Sequence, residues 1–388
     1  MRFLTSGESH GKALMAILEG VPAGLHITSE YINKELRRRQ IGYGRGKRME
    51  IERDEVEIIS GVRGGYTLGT PIGIVIKNRD WENWKNVMDP EEILEEKMVT
   101  KPRSGHADFA GAIKYHFEDI RNVLERASAR ETAARVAVGA IAKAFLSEFG
   151  IEIISFVEAI DSIENRFDIN NFEWDVLKRK AEKSDLRMID EEKERQAKEL
   201  IDKAKEEGDT LGGRFVLLAR GVPIGLGSHV HWDKRLDALI SHAIMSIPSV
   251  KGVEIGEALY ASLNKGSKVH DEFYFGENRL RKTNYAGGIE GGISNGEIIM
   301  VRAFVKPIPT LRRPLKTFDI KEKKITDGYY ERSDVCVVPA AGVVGESMLA
   351  FVLAKEFLNK FSGDHISEIK ESFEKYKKYV YERLGWKS

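Results

Sequence analysis

The sequence predicts an α+β fold, with clusters of short strands, buried helices and a possible internal duplication, on three observations. Glycine-punctuated apolar runs fill residues 1 to 28 and 49 to 78, the pattern of short strands and turns. The stretch AARVAVGAIAKAFL is apolar nearly all round, which marks a helix buried on every side. Third, Gly20-Val21-Pro22-Ala23-Gly24-Leu25 returns as Gly221-Val222-Pro223-Ile224-Gly225-Leu226. Each copy leads into a helix and then a glycine-rich strand region, Gly64-Gly65 in one and Gly287-Gly288 with Gly291-Gly292 in the other. The echo reads either as a duplicated unit, its halves packed about a pseudo-twofold axis with apolar helices between sheets, or as a common turn met twice by coincidence.

Taken in order, residues 29 to 39 read as a helix, with Glu30 in its first turn and Arg37 to Arg39 in its last, where cations suit the helix dipole. Gly42, Gly44 and Gly46 end it in a basic loop. Between 49 and 78, three apolar or alternating runs separated by Gly61 and Gly64-Gly65 give a small antiparallel sheet. Asp89-Pro90-Glu91-Glu92 has the chemistry of a helix start. Asp119 to Phe149 reads as one helix stopped by Gly150. Residues 173 to 207, dense in Lys and Glu, read as a solvated helical insertion whose charge needs no ligand. Val344 to Phe361 is another apolar helix, and 364 to 384 an amphipathic one. The expectation is one domain over 1 to 388, made of halves at about 1 to 150 and 210 to 362.

Composition narrows the function. The chain has 388 residues, 61 Lys+Arg against 61 Asp+Glu, 42% hydrophobic residues and a mean hydropathy of -0.34. A balanced charge argues against a bulk nucleic-acid binder and leaves any polyanion site to a local concentration of cations. The single cysteine, Cys336, cannot form an intrachain disulfide. The first residues lack the apolar core of a signal peptide, and no uninterrupted apolar run approaches the roughly 18 residues of a membrane span. A cytoplasmic protein that binds no membrane is expected.

Several clusters carry chemistry. Gly7-Glu8-Ser9-His10-Gly11 satisfies the nucleophile-elbow pattern of serine hydrolases, yet too few residues precede it to supply a sheet; it reads otherwise as a turn, or as a loop presenting Ser9 and His10 to a ligand. The 37 to 53 loop carries Arg37, Arg38, Arg39, Arg45, Lys47, Arg48 and Arg53, a solvated basic loop or a grip on carboxylate or phosphate. Lys101-Pro102-Arg103-Ser104-Gly105-His106-Ala107-Asp108 places Arg, Ser and His within four residues, suited to proton donation onto a bound phosphate. Arg126 and Arg130, four apart, would share a helical face, aimed at an anion or paired with Glu125 or Glu131. Lys306-Pro307-Ile308-Pro309-Thr310 is a stiff extended segment, followed later by Glu331-Arg332-Ser333-Asp334. Scattered histidines suggest no metal site, and no P-loop or Rossmann fingerprint occurs.

Together with KGVEIG at 251 to 256 and GGIEGGISNG at 287 to 296, these motifs, in this order, closely resemble the chorismate synthase family across essentially the whole chain. The resemblance implies a β-α-β sandwich, a homotetramer, and conversion of 5-enolpyruvylshikimate 3-phosphate to chorismate and phosphate with reduced FMN required but no net redox change. NADPH would enter only if flavin reduction were intrinsic. It implies that Ser9, Arg39, Arg45, Arg103, Arg130 and Arg332 hold the substrate, that His106 protonates the departing phosphate, that His10 serves the reduced flavin's N1/O2 edge, and that Asp334 interacts with its N5. FMN contacts would come from Arg39, Arg45, Arg126, Ala127, Ser128, Pro248, Ser249, Gly291, Lys306, Pro307, Ile308, Pro309, Thr310 and Arg332. Two departures stand out: relatives commonly read R-S-S where this chain has Arg126-Ala127-Ser128, and many read Asn-Ala at Pro248-Ser249. Serine hydrolysis through Ser9 and polyanion binding through the 37 to 53 loop are the alternatives.

Overall fold

Alternation along β2 (Ala13–Glu19) buries Leu14, Ala16 and Leu18 on one face and exposes Met15 and Ile17 on the other. In the computed structural model, which describes residues 1–45, 53–276, 279–331 and 334–385, this strand lies in an antiparallel sheet ordered β1-β2-β6-β3, with β1 Arg2–Ser6, β3 Val56–Ile58 and β6 Ile72–Lys77. Between β3 and β6 a two-residue turn joins β4 (Val62–Arg63) to β5 (Tyr66–Thr67). A second antiparallel sheet runs β10-β13-β9-β7-β8: β7 Glu152–Ile160, β8 Ile163–Glu164, β9 Gly213–Arg220, β10 Val250–Ile255 and β13 Ile299–Val305. The turn between β11 (Ile289–Glu290) and β12 (Ile293–Ser294) precedes β13.

The helices are α1 Ser29–Gln40, α2 Asp108–Tyr115, α3 Arg121–Ala127, α4 Thr132–Ser147, α5 Trp174–Lys183, α6 Glu191–Glu207, α7 Leu236–Met245, α8 Val338–Lys360 and α9 Ile366–Leu384. α4 and α8 pack on each other; α4 also touches β1, β2 and β6 of the first sheet, and α8 touches β7 and β9 of the second. One core takes in Leu14, Ile72 and Ile74 from the first sheet, Val136, Ala140 and Leu349 from the helices, and Phe215, Leu217 and Val301 from the second sheet. By length and composition α8 could cross a membrane, but 89% of its apolar window is buried inside the fold. The crossing is close because Gly139 lacks a side chain: a Cβ there would lie 2.5 Å from the Cα of Ser347. Gly139→Ala is expected to destabilise the protein by about 1–3 kcal/mol through overpacking, read from the urea midpoint.

The two glycine-rich turns carry the same geometry. Gly64 and Gly65 have φ of 59 and 82°, Gly291 and Gly292 of 60 and 84°, values only glycine adopts without strain. Thr67 Oγ1 donates to Pro22 O (2.6 Å) and accepts from Leu25 N (3.0 Å), while Gly24 N donates to Thr67 O and Thr67 N to Leu25 O, both 2.9 Å. Ser294 makes the corresponding four bonds to Pro223, Leu226, Gly225 and Leu226 at 2.6, 2.8, 2.9 and 2.9 Å.

Three expectations need correction. Asp89 does cap the backbone, accepting from Glu91 N and Glu92 N, but no α-helix propagates there, because the segment offers no buried face and Ile93 stays exposed. The 119 to 149 stretch breaks at Ser128 (ψ 141°), whose hydroxyl accepts from Arg130 N and starts a new turn. The 173 to 207 insertion is wet on one side only: Trp174, Leu177 and Ala181 cover the outer face of the second sheet with Ile154, Phe156, Val216 and Leu218.

Candidate active site

The 7 to 11 segment is a turn between antiparallel neighbours β1 and β2, so Ser9 does not sit on the strand-to-helix elbow that a hydrolase needs. What fixes this loop is α3. Ser9 N donates to Glu125 O (3.0 Å) and His10 N to Glu125 Oε2 (2.8 Å), and His10 Nδ1 lies 2.9 Å from Glu125 Oε1. Both residues are buried. The His10 ring stacks on Trp84, centroids 3.9 Å apart, and its Nε2 is 3.9 Å from Glu331 Oε1. Burial alone would raise the Glu125 carboxyl, but His10 and then Arg121 hold it below its ordinary value.

Because the helix breaks at Ser128, Arg126 and Arg130 part company. Arg126 reaches back to Thr5 O, Thr5 Oγ1 and Gly7 O, bracing the loop. Arg130 is buried against Asp54 Oδ1 (2.5 Å) and Asn78 Oδ1 (3.0 Å), and Asn78 in turn donates to Gly11 O (2.7 Å). Neither arginine pairs with Glu125 or Glu131; Glu131 pairs with Arg135. Arg39 lies 3.9 Å from Asp54, and Arg45 Nη1 lies 2.9 Å from Asp334 Oδ2. Burial first, and then Arg130 and Arg45, lower the Arg39 guanidinium to about 10 despite Asp54. Among the described residues, Arg39 Nε and Asp54 Oδ2 are buried with no hydrogen-bond partner. A buried guanidinium N–H without an acceptor suits an anion such as phosphate or carboxylate.

A second loop completes the arrangement. At the start of α2, Asp108 accepts from Arg103 N and Nε and lies 2.6 Å from His106 Nδ1. His106 and then Arg103 drive the Asp108 carboxyl far below its ordinary value against the effect of burial. Arg103 also donates to Thr310 Oγ1 (2.9 Å), and Lys306 Nζ donates to Gly105 O, so the 101 to 108 and 306 to 310 segments are joined. Burial and then Lys251 lower the Lys306 ammonium. Ser249, at a left-handed φ of 70°, accepts from Lys306 N, and Ile308 O accepts from Thr210 Oγ1, which fixes the extended segment at its start and its middle. The Gly291-Gly292 turn packs instead on Arg235 and Gly227, and a Cβ at Gly291 would meet nothing within 4 Å.

Two later acids link the parts: Glu331 approaches His10 and Asp334 meets Arg45. Arg332 falls outside the described residues. Sequence reasoning missed Trp84, Asp54 and Asn78, which stand in no motif; Glu125 was in view only as an acid for an arginine, and Asp108 stood in its motif without a role. A cavity of about 270 Å³ beneath α9, lined by Pro223, Asn295, Phe373 and Tyr376 among others, contains none of the predicted site residues.

The chain is similar to known proteins along essentially its whole length. A family model described as chorismate synthase matches residues 1–358. Chorismate synthase of Syntrophomonas wolfei is 52% identical over 391 aligned positions, covering 100% of this chain and 99% of its own. That of Alkaliphilus metalliredigens is 54% identical (97% and 99% covered), and that of Aquifex aeolicus 53% identical (98% and 98%). A crystal structure of chorismate synthase superposes with a TM-score of 0.80 at 46% identity, covering 98% of each chain.

Proposed function

The chain belongs to the chorismate synthase family, and from that premise we propose how its residues divide the work. The reaction is elimination of phosphate from 5-enolpyruvylshikimate 3-phosphate to give chorismate, with reduced FMN required and no net redox change. The hydrolase and polyanion-binding alternatives fall away: Ser9 is not on an elbow, and Arg37 and Arg38 of the basic loop serve internal acids, Arg37 with Glu30 and Arg38 with Glu35, Glu182 and Glu346.

The observation that supports the residue assignment is the buried Nε of Arg39, left without a hydrogen-bond partner beside Arg45 and Arg130. Arg39, Arg45, Arg103 and Arg130 hold the substrate's two carboxylates and phosphate, with Ser9 beside them, and Arg332 is assigned by motif alone. Asp108 accepts a hydrogen bond from Nδ1–H of His106 and leaves Nε2 to deliver a proton to the departing phosphate. The same donor chemistry suits an anionic cofactor: Arg39, Arg45, Ser128, Lys306 to Thr310 and the Pro248-Ser249 backbone are the residues to hold it, with Arg126 acting through the loop it braces. Reduced FMN, when bound, supplies electron density to the substrate and a base for the C6 proton. His10 would serve its N1/O2 edge and Asp334 its N5. Gly291 contributes only if a ligand or a neighbouring copy approaches its open turn.

We also read the chain as a β-α-β sandwich of two related halves, supported by the matching bonds of Thr67 and Ser294 and by the α4/α8 pair touching both sheets. Thr67→Ala and Ser294→Ala are each expected to cost about 1–3 kcal/mol; a negligible loss at one site and a full loss at the other would speak against equivalence. A homotetramer is supported by the exposed apolar face of Leu4, Met15 and Ile17, whose counterpart on the second sheet is covered by α5; light scattering gives the mass. We place the enzyme in the cytoplasm. An anaerobic assay with reduced FMN, against oxidised FMN plus NADPH, tests the activity: equal chorismate and phosphate with reduced FMN is the expected result, and product with NADPH would reveal an intrinsic reductase.

A further inference from the structure

We propose that Glu125 is a positioning residue that selects which nitrogen of His10 faces the reaction, a proposal that rests on the flavin-side role assigned to His10 above. Three donors converge on its carboxylate: His10 N at 2.8 Å on Oε2, His10 Nδ1 at 2.9 Å on Oε1, and Arg121 Nη1 at 3.2 Å on Oε1. A carboxylate only accepts, so Nδ1 carries a proton whatever the charge of the ring, and Nε2 is turned to the site. The competing acid, Glu331, is 3.9 Å from Nε2, beyond hydrogen-bonding reach, so Glu125 sets the tautomer. The ring cannot turn away: Trp84 stacks on one face, and Arg121, bonded to Glu125, lies 5.1 Å over the Trp84 ring, closing a circuit of four side chains. Glu125 also accepts from Ser9 N through its backbone, so one residue hangs both loop residues.

Glutamine is the informative replacement. It keeps the shape but offers one oxygen where two His10 donors need acceptors, and its amide then faces Nδ1 as a donor, which moves the proton to Nε2. The readout is nitrogen-15 NMR of the His10 ring in protein without cofactor, assigned with His10→Gln, beside anaerobic steady-state kinetics. Wild type is expected to show Nδ1 protonated; E125Q should shift to the Nε2–H pattern and lose about tenfold or more in kcat with KM within about threefold. E125D, which keeps both oxygens, should recover part of that loss and the wild-type pattern. A wild-type Nε2–H pattern, an E125Q spectrum or kcat like wild type, or E125D no better than E125Q would each overturn the proposal. Wild type without chorismate formation would instead overturn the activity assignment, leaving the NMR result to decide the tautomer.

Discussion

His106→Ala is expected to lower turnover by about 10²-fold or more, the usual scale of a general acid, while KM changes by no more than about threefold. The split follows from the geometry. Arg103 is oriented through its own backbone N–H and Nε on Asp108 and through Thr310, so its grip on an anion survives loss of the imidazole. What disappears is the proton that Nε2 delivers to the leaving phosphate. Anaerobic kinetics with reduced FMN check this, and near-normal turnover would remove His106 from the mechanism. Asp108→Asn would give a different signature, raising KM as well, because both Arg103 and His106 lean on that carboxylate.

The largest stability effect is expected at Glu346, wholly buried in α8. Its carboxylate receives both terminal nitrogens of Arg38 (2.7 and 2.9 Å), Arg187 (3.1 Å), Ser155 Oγ (2.6 Å) and Lys143. Glu346→Ala leaves three cations in the interior and should cost about 3–5 kcal/mol in urea unfolding. The pH dependence has a definite sign. Burial would raise these glutamates, but Arg38, Lys143 and Arg187 hold Glu346 well below 4.5, Lys143 and Arg38 lower Glu35, and Arg38 with Arg187 brings Glu182 to about 2. Groups depressed in the folded state contribute stability in full above about 4.5 and lose it as pH falls toward 2. Wild type should therefore lose stability across that window more steeply than Glu346→Gln; parallel curves would contradict the assignment.

Much of this architecture was legible in the sequence because local rules coincided with the tertiary result. Helix α1 was marked by its charges and α4 by its unbroken apolarity, and the GVPxGL echo pointed to the paired turns. The failures came where one local signal met a stronger contact. Asp89 capped a helix that had nothing to pack on, and Ser128 interrupted a stretch whose propensities were uniformly helical. In the site, arginines and histidines in glycine-rich loops were visible, since such loops rarely concentrate cations without use. Trp84, Asp54 and Asn78 were not, because each comes from a stretch without a motif and gains meaning only from what folding sets beside it.

The late place of Glu331 and Asp334 in the chain has a consequence for how the enzyme is made. Most of the cations and both histidines are synthesised within the first third of the chain, but Glu331 and Asp334, which meet His10 and Arg45, come near its end. A nascent chain, emerging at about 5–20 residues per second, therefore carries an incomplete site for most of its synthesis. Charged groups awaiting late partners cannot be buried early, so ligand binding and the closing of the core are expected to finish together, and a prematurely terminated chain to be inert rather than partly active.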